Sequence, residues 1–158
     1  MAELPDRPPI AAVQAGVFTG AQALEAGWTP RQVRRRLAAG RWRRIAGRGL
    51  VVADGAPTLL ERAWAIHLTW PEAVVSHTSA GRLRGFPISD VATLHVIGDR
   101  RRPPQPGVVL HRVPLPRGQI ARVRGLPVTT PLRTAVDCLA LLPVDQAFDL
   151  WAWLSTRN

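Results

Sequence analysis

Small apolar residues from Pro8 to Val17, closed by Gly16, predict a short first helix. Thr19 has the character of an N-cap, because its hydroxyl can accept from an unpaired first-turn amide. Gly20–Ala26 then reads as a second short helix stopped by Gly27, with Trp28 buried in the turn that follows. Thr29-Pro30 repeats the start signal, a threonine cap and a proline at the first helical position, where its missing amide costs nothing. A third helix is expected from Arg31 to Ala39, ending at Gly40. At about 100° per residue, Val33 and Leu37 define its buried stripe and Arg35 points directly away from it. Arg31, Gln32 and Ala38 flank Arg35, and Arg34 and Arg36 lie on the shoulders.

Beyond Gly40 the period changes. Trp42-Arg43-Arg44-Ile45 reads as a strand, Ala46-Gly47-Arg48-Gly49 as a glycine turn and Leu50-Val51-Val52 as the return strand, a two-stranded wing with Arg48 at its tip. Trp42 is expected to anchor the wing to the helix. Helix, tight turn, helix and wing together predict a winged helix-turn-helix over residues 8–55. The rest, 56–158, is expected to form a small mixed α/β domain, so that the fold class is α+β. Its elements are a Thr58-capped helix to about Trp70, a short strand at Val74-Val75 and a brief helix to Leu83 capped by Ser76 or Thr78. Paired strands follow at Leu94–Ile97 and Val108–Arg112. A helix opens at Thr130-Pro131, and a last one, Asp145–Leu154, carries Phe148, Trp151 and Trp153. Arg133 and Asp137, four apart, are expected to pair. The aromatic last helix suggests an exposed apolar patch, hence a homodimer or partner surface.

Charge sharpens this picture. The chain carries +10 at neutral pH, and all 21 of its basic side chains are arginine. A GC-rich coding bias accounts for arginine in place of lysine but not for its clustering. Residues 1–50 hold nine arginines and three acids, a net +6; residues 98–126 hold seven arginines and one acid, again +6. From Gly27 to Leu50 there are eight arginines and no acid. A helix with four outward arginines repels itself, whereas opposite a phosphate backbone the same array is favourable. Arg31, Gln32 and Arg35 are therefore expected as base-edge contacts, and Arg34 and Arg36 as phosphate contacts. Thr29, Arg41, Arg43, Arg44 and Arg48 complete the candidate DNA-binding set. A second basic patch is expected from Arg100, Arg101, Arg102, Arg112, Arg117, Arg122 and Arg124, meeting DNA or a protein partner.

The run Val17–Val52, through Phe18-Thr19, Ala26-Gly27, Gln32-Val33, Leu37, Gly40, Trp42 and Gly49, resembles the N-terminal domain of AbiEi-family antitoxins of type IV toxin–antitoxin systems. Residues 74–87 (VVSHTSAGRLRGFP) and 125–137 (GLPVTTPLRTAVD) resemble that family's second half. The resemblance implies a winged helix that binds inverted repeats in its own promoter, and a nucleotidyltransferase-like toxin as partner. Leu50 departs from it, since a tyrosine is expected after the wing glycine. Many relatives also continue further, some into a nuclease-like domain, whereas this chain stops at Asn158.

Other chemistry is thinly represented. Cys138 is the single cysteine, which excludes an intrachain disulfide and fits a reducing cytoplasm. No signal peptide or membrane span is evident, so a cytoplasmic protein is expected. His67, His77, His95 and His111 have no metal-site spacing, and neither a glycine-rich nucleotide loop nor a carboxylate cluster is present. Ser76-His77 invites a nucleophile–base reading, but adjacent side chains rarely face each other, and helix capping accounts for Ser76. Neither cofactor nor metal nor catalysis is expected. The sequence thus predicts a regulator that binds double-stranded DNA and represses its own promoter. Two alternatives are a protein-interaction module that neutralises a toxin and a fragment of a nuclease-linked DNA-processing protein.

Overall fold

The computed structural model describes residues 5–89, 92–99 and 101–156, which divide into two compact units, 1–71 and 72–158. Both are mixtures of helices and sheet.

The first unit opens with a 3-10 turn, Pro9–Val13, where the sequence predicted a longer helix. Helices α1 (Gly20–Glu25) and α2 (Pro30–Ala38) follow. Each begins in a complete capping box. Thr19 accepts from the Gln22 amide while Gln22 accepts from that of Thr19, and Thr29 and Gln32 do the same for α2. Strands β1 (Trp42–Ala46) and β2 (Gly49–Val52) form the antiparallel wing. Phe18, Trp28, Trp42 and Leu50 build the core with Ala11 and Ala23, and Val33 and Leu37 of α2 pack against it. Leu50, the departure noted above, is fully buried and exchanges backbone hydrogen bonds with Phe18 at 2.7 and 3.0 Å. An aliphatic side chain fills this place without a hydroxyl to satisfy.

Helix α3 (Leu59–Thr69), capped by Thr58, was expected in the second domain. It packs instead against the wing. Ala65 joins Val17 and Val51 in a second cluster with Ile45, Ala46, Trp64 and Leu68 around it. The division between the units therefore follows Pro71 rather than residue 55. Glycine is required at position 49, because a Cβ there would overlap the Ala65 side chain.

The second unit is a five-stranded sheet in the order β5-β4-β3-β7-β6. Its strands are β3 (Val74–Val75), β4 (Leu94–Ile97), β5 (Val108–His111), β6 (Ile120–Val123) and β7 (Leu126–Thr129). The expected β4–β5 pairing is present and parallel. The β6–β7 hairpin was missed, because Pro127 sits inside β7 and proline argues against a strand. The tight turn Arg124-Gly125, both at positive φ, joins its two strands. Helices α4 (His77–Leu83), α5 (Pro131–Leu141) and α6 (Val144–Ser155) complete the unit. Ser76 and Thr130 stand at the N-caps of α4 and α5, yet neither side chain makes a capping hydrogen bond. Arg133 and Asp137 pair at 2.8 Å as expected. Within α6 it is Leu150 that is buried, whereas Phe148 and Trp151 are exposed. Among the described residues no helix is long and apolar enough to cross a membrane.

Candidate nucleic-acid interface

The arginines predicted for DNA separate into two groups in the structure. Arg31, Arg34 and Arg35 on α2 are exposed, as are Arg41 before the wing and Arg44 and Arg48 within it. A groove of roughly 400 Å³ runs between α1, α2 and the wing. Val33, Leu37 and Leu50 form part of its wall, and Arg44 and Arg48 line it from the wing. The wing is firmly held where Arg48 projects. The Arg48 amide donates to Thr69 Oγ1 at 2.9 Å, and that hydroxyl donates to the Ala65 carbonyl at 2.7 Å. Arg44 Nη1 closes the turn onto the Gly47 carbonyl at 2.8 Å. The anchoring role of Thr69 had no signal in the sequence, since α3 read as part of the other domain.

Four of the expected contacts are engaged elsewhere. Arg36 does not face outward as a phosphate ligand. Its guanidinium lies 4.4 Å from the Trp28 ring centroid and 5.6 Å from that of Trp42, and Nη1 donates to Asp6 Oδ1 at 3.1 Å. On the helical wheel Arg36 falls on the shoulder beside the two tryptophans, and Arg34 on the opposite shoulder. Gln32 was expected at a base edge, but its carbonyl oxygen already accepts from the Thr29 amide at 2.7 Å and hydroxyl at 3.0 Å. Thr29 is occupied by the same box. Arg43 is half-buried, and its Nη2 donates to the Gly55 carbonyl. The exposed basic surface is thus Arg31, Arg34, Arg35, Arg41, Arg44 and Arg48, of which Arg44 also holds the Gly47 carbonyl.

Residues 8–53 match a family model described as transcriptional regulator, AbiEi antitoxin. The resemblance read from Val17–Val52 falls inside that match, and its end at Ala53 coincides with the end of the wing. The match covers less than half of the chain, and the regulatory role is that of the family it resembles. The segments 74–87 and 125–137 lie outside the match. No curated protein matches the chain.

The second basic patch does not form as one surface. Arg100 lies outside the described residues. Arg102 is paired with Glu72 at 2.5 Å, and with Arg101 it sits in the loop between β4 and β5, with Arg112 directly after β5. Arg117, Arg122 and Arg124 belong to the β6 side. Those two strands are opposite edges of the sheet, four inter-strand spacings or about 19 Å apart. Arg122 also folds back onto the Gly125 carbonyl at 2.7 Å. Sequence proximity grouped side chains that the strand order separates.

Ser76 and His77 do face each other, contrary to expectation: the Ser76 hydroxyl lies 2.9 Å from His77 Nδ1. Ser76 is completely buried, which withholds it from a substrate. Burial first, and then the neighbouring His111, push the His77 imidazole down to about 4. Burial also lowers His95 and His111 and raises the Cys138 thiol to about 12. Among the described residues no group of histidine, cysteine and acidic side chains could hold a metal ion.

Proposed function

We propose that the chain is a sequence-specific regulator that binds double-stranded DNA through its first unit and represses its own promoter, as an AbiEi-type antitoxin. The observation that carries this reading is the basic face shared by α2 and the wing. It holds six exposed arginines and lies within a sequence stretch that has no acid from Gly27 to Leu50. In this reading α2 enters the major groove, with Arg31 and Arg35 toward base edges and Arg34 toward phosphate. Arg44 and Arg48 follow the backbone from the wing, and Arg41 adds a phosphate contact between them. The two capping boxes fix the starts of α1 and α2, which supports a preformed α2.

Partners of the second unit belong to the same proposal. Leu132 and Val136 of α5, with Val144, Phe148 and Trp151 of α6, are all more than half exposed and supply an apolar surface suited to a second copy or a nucleotidyltransferase-like toxin.

The deciding experiment is fluorescence anisotropy with the DNA upstream of the gene, against a scrambled duplex, over a salt series. A preference of about 10³-fold or more, with a slope equivalent to several phosphates, supports specific regulation. Equal and steeply salt-dependent binding to both duplexes refutes it and leaves a protein-interaction module as the better reading.

A further inference from the structure

Three histidines from three different elements meet in the second unit: His77 at the start of α4, His95 in β4 and His111 at the end of β5. His95 Nδ1 and His111 Nε2 are 2.9 Å apart, with ring centroids 5.2 Å apart and planes inclined by 21°. That separation is what two imidazoles give when placed end to end with a hydrogen bond between them. One nitrogen's lone pair is therefore aimed at the other's N–H, not at a third point where a metal could sit. His77 lies flat on His111, at 3.6 Å between centroids and 14° between planes. Its other partner is the Ser76 hydroxyl, and its backbone is held at a φ of 50°, a left-handed conformation that side-chain-bearing residues rarely adopt.

The strand that His111 terminates is lightly held. β5 is an edge of the sheet, half-buried at best, with Val109 exposed. The Leu94 amide donates to the Gly107 carbonyl at 2.8 Å, and the Gly98 amide to that of His111 at 3.2 Å. Little apolar burial reinforces those bonds. The contact of His111 with two other rings is thus a substantial part of what fixes the strand's end.

Protonation acts on this contact in two steps. In the neutral pair one nitrogen donates and the other accepts. A single added proton leaves an imidazolium donating to an imidazole, a charge-assisted bond that keeps the rings together. A second proton sets N–H against N–H and places like charges side by side. The charged groups facing the cluster are His77 from α4, His95 from β4, His111 from β5, and Asp137 with Arg133 from α5. Asp137 is paired through Oδ1 with Arg133, and its buried Oδ2 has no hydrogen-bond partner among the described residues. Asp137 favours the charged form of both His77 and His111, and the neighbouring Cys138 thiol is uncharged. This one carboxylate, shared with Arg133, can balance a first imidazolium, so a second has no counter-charge of its own among the described residues.

We propose that the His95–His111 pair, with His77 stacked on it, is an acid-released latch on strand β5, closed with one proton or none and open with two. Opening frees the β4 edge. The inference is independent of the DNA-binding reading, since it concerns the second unit alone.

Hydrogen exchange of the full chain, followed by NMR and corrected for the intrinsic pH dependence, tests it. The reporters are the Leu94 and Gly98 amides, with the Thr130 amide, bonded to the Gln119 carbonyl at 2.9 Å beside the opposite edge, as internal control. Between about pH 7.5 and about pH 4.5, protection at Leu94 and Gly98 is expected to fall at least about tenfold more than at Thr130. His111→Phe, which keeps a flat ring but cannot take a proton, should abolish that difference. A parallel fall at all three amides, no fall, or the same fall in His111→Phe overturns the latch. A titration of the imidazole nitrogens in the unmodified chain serves if that variant does not fold. Loss of protection must then accompany the second protonation step, and loss with the first refutes the proposal.

Discussion

The guanidinium of Arg36 lies over Trp28, 4.4 Å from the ring centroid, on the helix that otherwise turns its arginines toward solvent. The Trp28 and Trp42 rings meet at 4.8 Å between centroids, tilted by 58°, and the Trp42 indole N–H donates to the Asp6 carbonyl at 2.8 Å. Asp6 thus meets Arg36 through its carboxylate and Trp42 through its backbone, and ties the N-terminal segment to both. Arg36 is a structural side chain within a helix whose other arginines are exposed. Arg36→Ala should lower the stability of the first unit by roughly 1–2 kcal/mol, through lost cation–π contact and lost packing of the side-chain stem. Chemical denaturation followed by tryptophan fluorescence measures this. The slope of DNA affinity against salt should remain as in the unmodified chain.

Arg35 makes the opposite prediction. It is exposed and points away from the Val33–Leu37 stripe, so its removal leaves the core intact. Arg35→Ala should weaken binding to the preferred duplex by roughly 1–3 kcal/mol and relax sequence preference, with no change in stability. Arg34→Ala should weaken binding to all duplexes alike and reduce the salt slope by about one. Anisotropy on two duplexes at several salt concentrations separates the two, and a uniform loss for Arg35→Ala would move that residue to the phosphate backbone.

Contrasts like that between Arg35 and Arg36 mark how far the sequence was legible. Caps at Thr19, Thr29 and Thr58 could be read directly, because a capping box closes within three residues. The wing was equally local, its turn set by Gly47 and Gly49. Contacts that join distant segments left no such trace. Arg36 depends on Trp28, Trp42 and Asp6 arriving together, and the histidine cluster depends on three elements whose spacing follows no motif. The second basic stripe dissolved for a related reason. Its arginines are neighbours along the chain, but the sheet order runs β5-β4-β3-β7-β6 and sends them to opposite edges.

Gly49 offers a test of the wing's seating on α3. A Cβ at this position would run into Ala65, including its Cα at 2.8 Å, and backbone cannot yield as a flexible side chain can. Gly49→Ala should therefore destabilise the first unit by roughly 1–3 kcal/mol, as overpacking does. The companion change Ala65→Gly should recover part of that loss. Urea denaturation of the single and double variants provides the measurement, and additive losses would place the origin of the effect elsewhere.

The pH dependence of the second unit follows from the histidine cluster, and its sign is opposite to that of a histidine with an anionic partner. Burial, and then the neighbouring imidazole, hold His77 near 4 in the folded chain, while an unfolded histidine titrates near about 6.5. His95 and His111 are lowered as well, chiefly by burial. The unfolded state therefore takes up protons first as pH falls. The stability that the neutral cluster contributes is fully present above about pH 6.5 and is lost progressively toward about pH 4. The urea midpoint, followed at an amide of β7 such as Val128, should stay level from neutral pH upward and drop across that window. His77→Phe, which removes one of the three titrating rings and keeps a flat surface against His111, should make the drop shallower. A midpoint that rises as pH falls from neutrality would mean that an imidazolium is stabilised in the fold, with Asp137 the carboxylate placed to do it.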